Sequence, residues 1–171
     1  MVVHRSLSLK ARALQLLAQR EHSRVELRRK LLASASQQAA ASSEPAGEST
    51  FTRRAPPTAE LQAHVDALLD ELAANGQLSE SRFVEARVRV RSTRHGNLRI
   101  RQELAQHGLQ LAPEEEQALK DSEFARAKEV LARKFDAPAS DAAGRARQAR
   151  FLTGRGFSSD VVRRVLRGDD E

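Results

Sequence analysis

Apolar residues recur three or four positions apart along most of the chain, which is the spacing of a helix with one buried face. The clearest stripe follows Thr58, a residue type that caps helices, and it ends at Asn75 and Gly76. The apolar positions of this stripe are Leu61, Val65, Leu68, Leu69 and Leu72. β-Branched residues do not alternate with polar ones over a length typical of a strand. The pattern therefore predicts an all-α fold.

The same spacing predicts helices along the rest of the chain. Ser23 and Glu26 form a capping-box pattern that opens a short helix over 24–32, and Ser158 is placed to cap the last helix. The other predicted helices lie at about 6–20, 113–120, 124–135 and 142–154.

Composition changes over 33–58, where Ala, Ser, Gln and Pro replace the apolar stripe. Such a segment has little surface to bury against a core. We expect a mobile linker or insert here, with Arg53 and Arg54 on a solvated loop.

Two helices joined by a tight turn are predicted over 79–109. Phe83 and Val90 are seven positions apart and are expected on one buried face of the first helix. At the turn, Gly96 is expected to take a positive φ angle and Asn97 to serve as a cap. Arginines are dense in this segment: Arg82, Arg87, Arg89, Arg91, Arg94, Arg99 and Arg101.

A local pattern occurs three times: a longer helix, a short break, and a shorter helix with an apolar pair four apart and basic residues between. The shorter helices contain 27–31, 100–104 and 162–166. Such units cannot bury their faces alone, so tandem stacking into an elongated, curved rod is expected. The predicted repeats are 6–76 (with the insert at 33–58), 78–120 and 121–168, before an acidic tail at 169–171.

Charge narrows the classes of partner. Lys and Arg total 29 against 23 Asp and Glu, a net charge of +6 in 171 residues, which favours a polyanionic partner. The absence of cysteine excludes disulfides, thiol catalysis and Cys-based zinc sites. The N-terminus does not resemble a signal peptide and no apolar run could span a bilayer, so we expect a soluble, cytoplasmic protein without membrane contact.

Three blocks carry a family resemblance. LSESRFVEAR at 78–87 and RHGNLRIRQELAQHGL at 94–109 resemble the central signature of the RecX family, regulators of the RecA recombinase. REHSRVELRRKLL at 20–32 and RFLTGRGF at 150–157 fit the other two repeats of that family. The resemblance covers most of the chain outside 33–58.

The resemblance implies a non-catalytic modulator, and we expect a monomer without cofactor or metal. It would lie in the groove of the RecA–single-stranded DNA filament, block filament extension, and lower ATP hydrolysis and strand exchange. Stacked repeats would align basic residues of the short helices as a stripe along the rod. Candidates for contact with the filament or DNA are Arg24, Arg28, Arg29, Lys30, Arg87, Arg91, Arg94, Arg99, Arg101, Arg163, Arg164 and Arg167.

Other functions predict different features. No catalytic motif or metal-binding pair of histidines is present, which argues against an enzyme. Direct, non-specific DNA binding by a helix-turn-helix over 79–108 is the main alternative, with Asn97 and Gln102 as the few candidates for base readout. A single-strand stacking platform is disfavoured because Tyr and Trp are absent and the phenylalanines mostly occupy apolar helix faces. A purely structural adaptor would leave the repeated basic residues without a purpose.

Overall fold

The computed structural model describes residues 8–42, 58–135, 137 and 139–168. Regular secondary structure in these ranges is α-helical, which confirms the predicted fold class. The helices are α1 (Leu9–Gln19), α2 (Arg24–Ser42), α3 (Ala59–Ala74), α4 (Glu80–Ser92), α5 (Asn97–Ala105), α6 (Pro113–Asp121), α7 (Glu123–Ala132), α8 (Ala142–Gly154) and α9 (Ser159–Arg167). The chain divides into two compact units, Met1–Phe83 and Val84–Glu171. The rod and the repeat boundaries stay predictions.

Helices α1, α2 and α3 build the first unit. The stripe predicted on α3 is buried from Val65 to Leu72 and packs against Leu27 and Leu31 of α2. Thr58 Oγ1 accepts the Leu61 backbone N–H at 3.3 Å, so this helix begins at its predicted cap. Leucines dominate this core, together with Ala13 and Val65.

Helix α2 is longer than predicted. It continues through Ala33 to Ser42, whereas the sequence pattern ended it at Leu32 and predicted a linker from Ala33 onward. Alanine and glutamine are good helix formers, and no proline or glycine interrupts the helix before Pro45. The rest of the predicted linker, 43–57, and the acidic tail, 169–171, lie outside the described residues.

A buried carboxylate, that of Glu26, organises the turn between α1 and α2. Arg20 donates to it through both terminal nitrogens, His22 Nδ1 lies 3.2 Å from Oε2, and Lys30 Nζ lies 3.5 Å from Oε1. Ser23 Oγ accepts the Glu26 backbone N–H at 3.1 Å, as the capping pattern predicted. Burial alone would raise the pKa of Glu26, but the hydrogen bond from Arg20 and the neighbouring positive charges outweigh it and lower the pKa to about 2.

We expect acid to destabilise the first unit through Glu26. A carboxyl with a lowered pKa in the folded state stabilises fully above its ordinary value of 4.5, and this contribution disappears as pH falls toward 2. The loss should be on the order of 2 kcal/mol. Urea unfolding between pH 7 and pH 2.5 should show it, and Glu26→Gln should flatten the profile. Exposed Glu60→Gln is the matched control; an equal flattening by that variant would contradict the assignment.

In the second unit, α7, α8 and α9 enclose a core that includes Leu131, Leu152 and Phe157. Ser158 Oγ accepts the Val161 backbone N–H, so α9 has its predicted cap. On α4 the predicted buried face is wrong at one position, because the side chain of Val90 is 66% exposed. Seven-residue spacing predicts a shared face, but the end of a short helix can project past the elements that would cover it.

Two turns of this unit meet through their backbones. The Gly96 N–H donates to the carbonyl of Arg155 at 3.0 Å, and the Leu98 N–H donates to the carbonyl of Gly156 at 3.1 Å. The predicted positive φ at Gly96 is wrong, since its φ is −80°. Glycine is required there because a Cβ would lie 2.2 Å from the backbone nitrogen of Phe157. The α4–α5 turn therefore packs directly on the α8–α9 turn.

A single carboxylate, that of Glu123, supports both helices that leave these turns. Its Oε1 accepts the N–H of Asn97 at 2.9 Å and that of Ser158 at 3.3 Å, while Oε2 accepts the Ser158 hydroxyl at 3.2 Å. Arg126 donates to the carbonyl of His95 at 2.9 Å and to the Asn97 side chain. These bonds fix the turn between α4 and α5, where the basic residues are dense.

Candidate interface for an anionic partner

On the first unit, basic residues of α2 pair with acidic residues of α3. Arg28 binds Asp66 through two bonds, Nε to Oδ1 at 2.6 Å and Nη2 to Oδ2 at 2.9 Å. Arg24 Nη1 lies 2.7 Å from Asp70 Oδ1. The four-residue spacing of the arginines matches that of the aspartates, so the two pairs lie side by side. Arg29 is exposed and forms no ion pair with any described residue.

These ion pairs keep both partners charged, but they hold the arginines only weakly against a competing anion. The hydrogen bond between them raises the pKa of Arg28 and lowers the pKa of Asp66, so both groups stay charged. Ion pairs on a surface contribute little stability, typically up to about 1 kcal/mol. A polyanion could therefore displace the aspartates from Arg24 and Arg28, whereas Arg29 would bind it without competition.

On the second unit, the carboxylate of Glu103 neutralises part of the predicted positive cluster. Its Oε1 lies 3.1 Å from Arg87 Nη1 and 2.7 Å from Arg91 Nη2, so α5 is tied to two residues one turn apart on α4. Arg101 Nη2 similarly lies 3.2 Å from Glu116 Oε1. These arginines are held in place, and their net charge is lower than the sequence pattern alone indicated.

Some candidate cations have no acidic partner in the described ranges. Arg94 and Arg99 are exposed on the two sides of the α4–α5 turn, and Arg167 is exposed at the end of α9. Arg94 lies in the turn that Glu123 and Arg126 fix, and Arg99 lies in the first turn of α5, which begins there. Their charges are thus presented on a rigid support rather than on a flexible loop.

The remaining candidates lie on α9. Arg163 Nη2 is 3.2 Å from Asp160 Oδ1, a pair within one exposed helical turn. Arg164 instead places its guanidinium 4.6 Å from the ring centroid of Phe124, in a cation–π contact. A guanidinium over a ring keeps its charge and its outer N–H donors.

A polar pocket of about 150 Å³ lies between α4 and α5. Within the described part of the chain, His95 Nδ1 and Arg91 Nε are buried without a hydrogen-bond partner. Burial and the charges of Arg91 and Arg155 lower the pKa of His95, which favours the neutral ring. The pocket is lined by Arg91, His95, Arg99, Gln102, Glu103 and Gln106.

The arrangement changes the prediction for base readout. Asn97 is only 2% exposed, its amide nitrogen donates to the carbonyl of Leu119 at 3.1 Å, and its oxygen accepts from Arg126. Asn97 is the first residue of α5, where its role is to link this helix to α6 and α7. It is therefore neither the predicted cap nor available to a base, and Gln102 is the remaining candidate reader on this helix.

Sequence reasoning missed three partly exposed aromatic rings. Phe124, Phe135 and Phe151 are half-buried, and each has a cation above its ring. Phe135 and Phe151 still pack against the apolar core, as the sequence predicts, but part of each ring also stays exposed. Phe51 lies outside the described residues. One signal was present, because Arg155 follows Phe151 by four positions and so shares its side of a helix.

Two other kinds of site are absent from the described residues. No group of three or more His, Asp or Glu side chains there is arranged to hold a metal ion. No described helix combines the length and the apolar character needed to cross a membrane.

The sequence matches two domain families and several curated proteins. Residues 79–110 match the second three-helix domain of RecX, and residues 121–166 match the third. The regulatory protein RecX of Ralstonia pickettii is 42% identical over 96% of this chain and 90% of that protein. This chain belongs to the RecX family. RecX of Leptothrix cholodnii is 45% identical, covering 94% of this chain and 88% of its own length, and RecX of Neisseria meningitidis is 34% identical over 94% and 90%.

The proteins of this family are named as regulatory proteins. The second RecX domain match contains the α4–α5 turn with Arg94 and Arg99, and the third contains α7 to α9. The contacts between the two turns therefore join residues of two RecX domains.

Proposed function

We propose that this RecX-family chain binds the RecA–single-stranded DNA filament and restrains it, without chemistry of its own. It lowers RecA ATP hydrolysis, filament extension and strand exchange. Family membership supports a regulatory role, and the sequence resemblance supports RecA as the partner. The observation that carries the proposal is the set of exposed arginines on rigid elements that have no acidic partner among the described residues: Arg29, Arg94, Arg99 and Arg167.

The physical basis is the exchange of ion pairs. We expect the filament to present acidic side chains or phosphate groups, which free guanidiniums bind bidentately. Arg24, Arg28, Arg87 and Arg91 already have acidic partners in this chain, so they add less on binding. The proposed contacts weaken as salt is raised.

RecA ATP hydrolysis on single-stranded DNA tests the proposal. The protein is titrated from far below to equal stoichiometry with RecA, and its binding to bare DNA is measured at the same salt. We expect inhibition well below one copy per RecA, at concentrations where bare DNA is barely bound. Inhibition only where bare DNA is already coated would contradict it and favour a DNA-binding protein that competes for the strand.

Charge reversal separates the proposed contacts from general charge. Arg29→Glu with Arg99→Glu should raise the concentration for half-inhibition at least tenfold. Arg12→Glu with Arg89→Glu makes the same change in net charge outside the candidate set and should shift it less than threefold. Equal shifts for the two double variants would exclude a specific role of Arg29 and Arg99.

Direct binding to DNA through α4 and α5 is the second candidate function. Arg99 and Gln102 are exposed on α5 and favour phosphate contact with little base readout. Tight binding to bare DNA in the parallel measurement, with no effect on RecA beyond that coating, would support this candidate.

A further inference from the structure

A depression of about 310 Å³ lies where α4, α7 and α8 end in the second unit. Most of its lining residues were not among those predicted from the sequence. Four of them are positively charged, one is aromatic, and none is acidic. The lining consists of Thr93, Arg94, Val130, Arg133, Lys134, Phe151 and Arg155.

The cations of this depression are only partly satisfied within the protein. Arg133 donates to the carbonyl of Thr93 at 3.0 Å and to Glu129 at 2.9 Å, and Arg155 donates to the carbonyl of Arg94 at 3.4 Å. Among the described residues, Arg94, Lys134 and Arg155 form no ion pair. The depression is thus open to an external anion.

Helix ends alone do not account for these charges. The C-terminus of a helix carries roughly half a negative charge, and cations there are ordinarily a structural feature. Three such ends together with the carboxylate of Glu129 still do not balance four full positive charges. Compensation of the helix dipoles therefore accounts for only part of this positive charge.

Two aromatic rings continue from the depression, one on α8 and one just after the end of α7. The guanidinium of Arg155 lies 5.0 Å from the ring centroid of Phe151, which meets Phe135 edge to face at 5.5 Å. Arg147 lies 5.6 Å from the centroid of Phe135. Both rings are half-buried, so part of each stays in contact with solvent.

We infer that this depression binds a single-stranded polynucleotide, with Arg94 and Lys134 on successive phosphates and a base against Phe151 and Arg155. Charge alone would suit an acidic peptide equally well. The neighbouring ring and guanidinium plane favour a nucleotide strand, because bases stack on such groups irrespective of sequence. A duplex is disfavoured, since its bases are paired and stacked away from a surface ring.

This contact goes beyond the proposed function because it requires no RecA. It would let the protein hold the strand itself through Arg94, while Arg29, Arg99 and Arg167 bind the recombinase. Its test therefore uses bare oligonucleotide: fluorescence anisotropy of labelled dT20 with the full chain, at salt concentrations from low to physiological.

The variants remove charge and ring separately. Arg94→Ala with Lys134→Ala should weaken binding about tenfold at low salt. The double variant should also reduce the slope of log affinity against log salt by about 1.4, because each phosphate that is no longer neutralised contributes about 0.7.

Phe151→Leu keeps an apolar side chain, and we expect a three- to tenfold loss of affinity for dT20 with an unchanged salt slope. Arg12→Ala with Arg89→Ala is the charge-matched control. Circular dichroism checks that each variant is folded.

The outcomes separate this inference from the proposed function. Unchanged dT20 binding in the Arg94 and Lys134 double variant, or an equal loss in the control, would overturn the inference. Weaker RecA inhibition with unchanged dT20 binding would also overturn it, because the depression would then contact the recombinase. Failure of the wild-type protein to inhibit RecA would contradict the proposed function but leave the strand contact intact.

Discussion

Gly96→Ala is expected to destabilise the second unit by about 3 kcal/mol or more, at the upper end of the range for overpacking. Its Cβ would lie 2.2 Å from the backbone nitrogen of Phe157 and 2.3 Å from the carbonyl oxygen of Gly156. Both obstacles are backbone atoms, so no side-chain rotation can relieve the clash. The two turns would have to separate, breaking the hydrogen bonds from Gly96 and Leu98. Urea unfolding monitored by circular dichroism measures the loss.

Gly154→Ala provides the matched control. No atom lies within 4 Å of a Cβ at Gly154, and this residue ends α8. Alanine favours helix over glycine, so the free energy of unfolding should stay the same or rise by less than about 1 kcal/mol. A Gly96→Ala protein as stable as the Gly154→Ala protein would show that the two turns do not pack as described.

Glu123→Gln should reduce the free energy of unfolding by about 2–4 kcal/mol. The carboxylate is 5% exposed and accepts hydrogen bonds from Asn97 and Ser158. An amide of the same shape offers one acceptor oxygen and brings N–H donors toward other donors. The variant also removes the negative charge near Arg126, whose pKa burial already lowers. Thermal and urea unfolding of the full chain test the effect.

Exposed Glu129→Gln removes the same charge from the same helix. Its pair with Arg133 is exposed on both sides, so its loss should change stability by less than about 0.5 kcal/mol. If the two variants had the same free energy of unfolding, the hydrogen bonds of Glu123 would contribute no more than an exposed ion pair. That result would contradict the role assigned to its buried carboxylate.

Most helices could be predicted from the sequence because their signals are local. An apolar stripe and a cap such as Thr58 or Ser158 lie within a few residues of the helix that they define. The requirement for glycine at position 96 is not local, because a Cβ there would clash with backbone atoms of Gly156 and Phe157, which are far along the chain. The extension of α2 past Leu32 was missed because a loss of apolar residues was equated with a loss of helix.

The sequence predicts which arginines belong to the candidate interface, but it does not predict which of them pair with acidic residues. The positions of Arg28 and Arg99 on helices follow from the sequence, yet only packing shows that Asp66 binds the first and that the second has no acidic partner among the described residues. The ring of Phe151 could not be separated from a core position by periodicity. Its partial exposure depends on where three helices end.

Because one carboxylate is shared between two helix starts, we expect the opening of α5 to be coupled to that of α9. The amide hydrogens of Asn97 and Ser158 both bond to Glu123, and the neighbouring turns are joined directly by backbone bonds. The bond from Asn97 to Glu123 crosses between the two RecX domains, so losing it requires the contact between these domains to open. The second and third domains thus form one cooperative block, whose local fluctuations are coupled. A partner that binds either helix would therefore reduce the local opening of both.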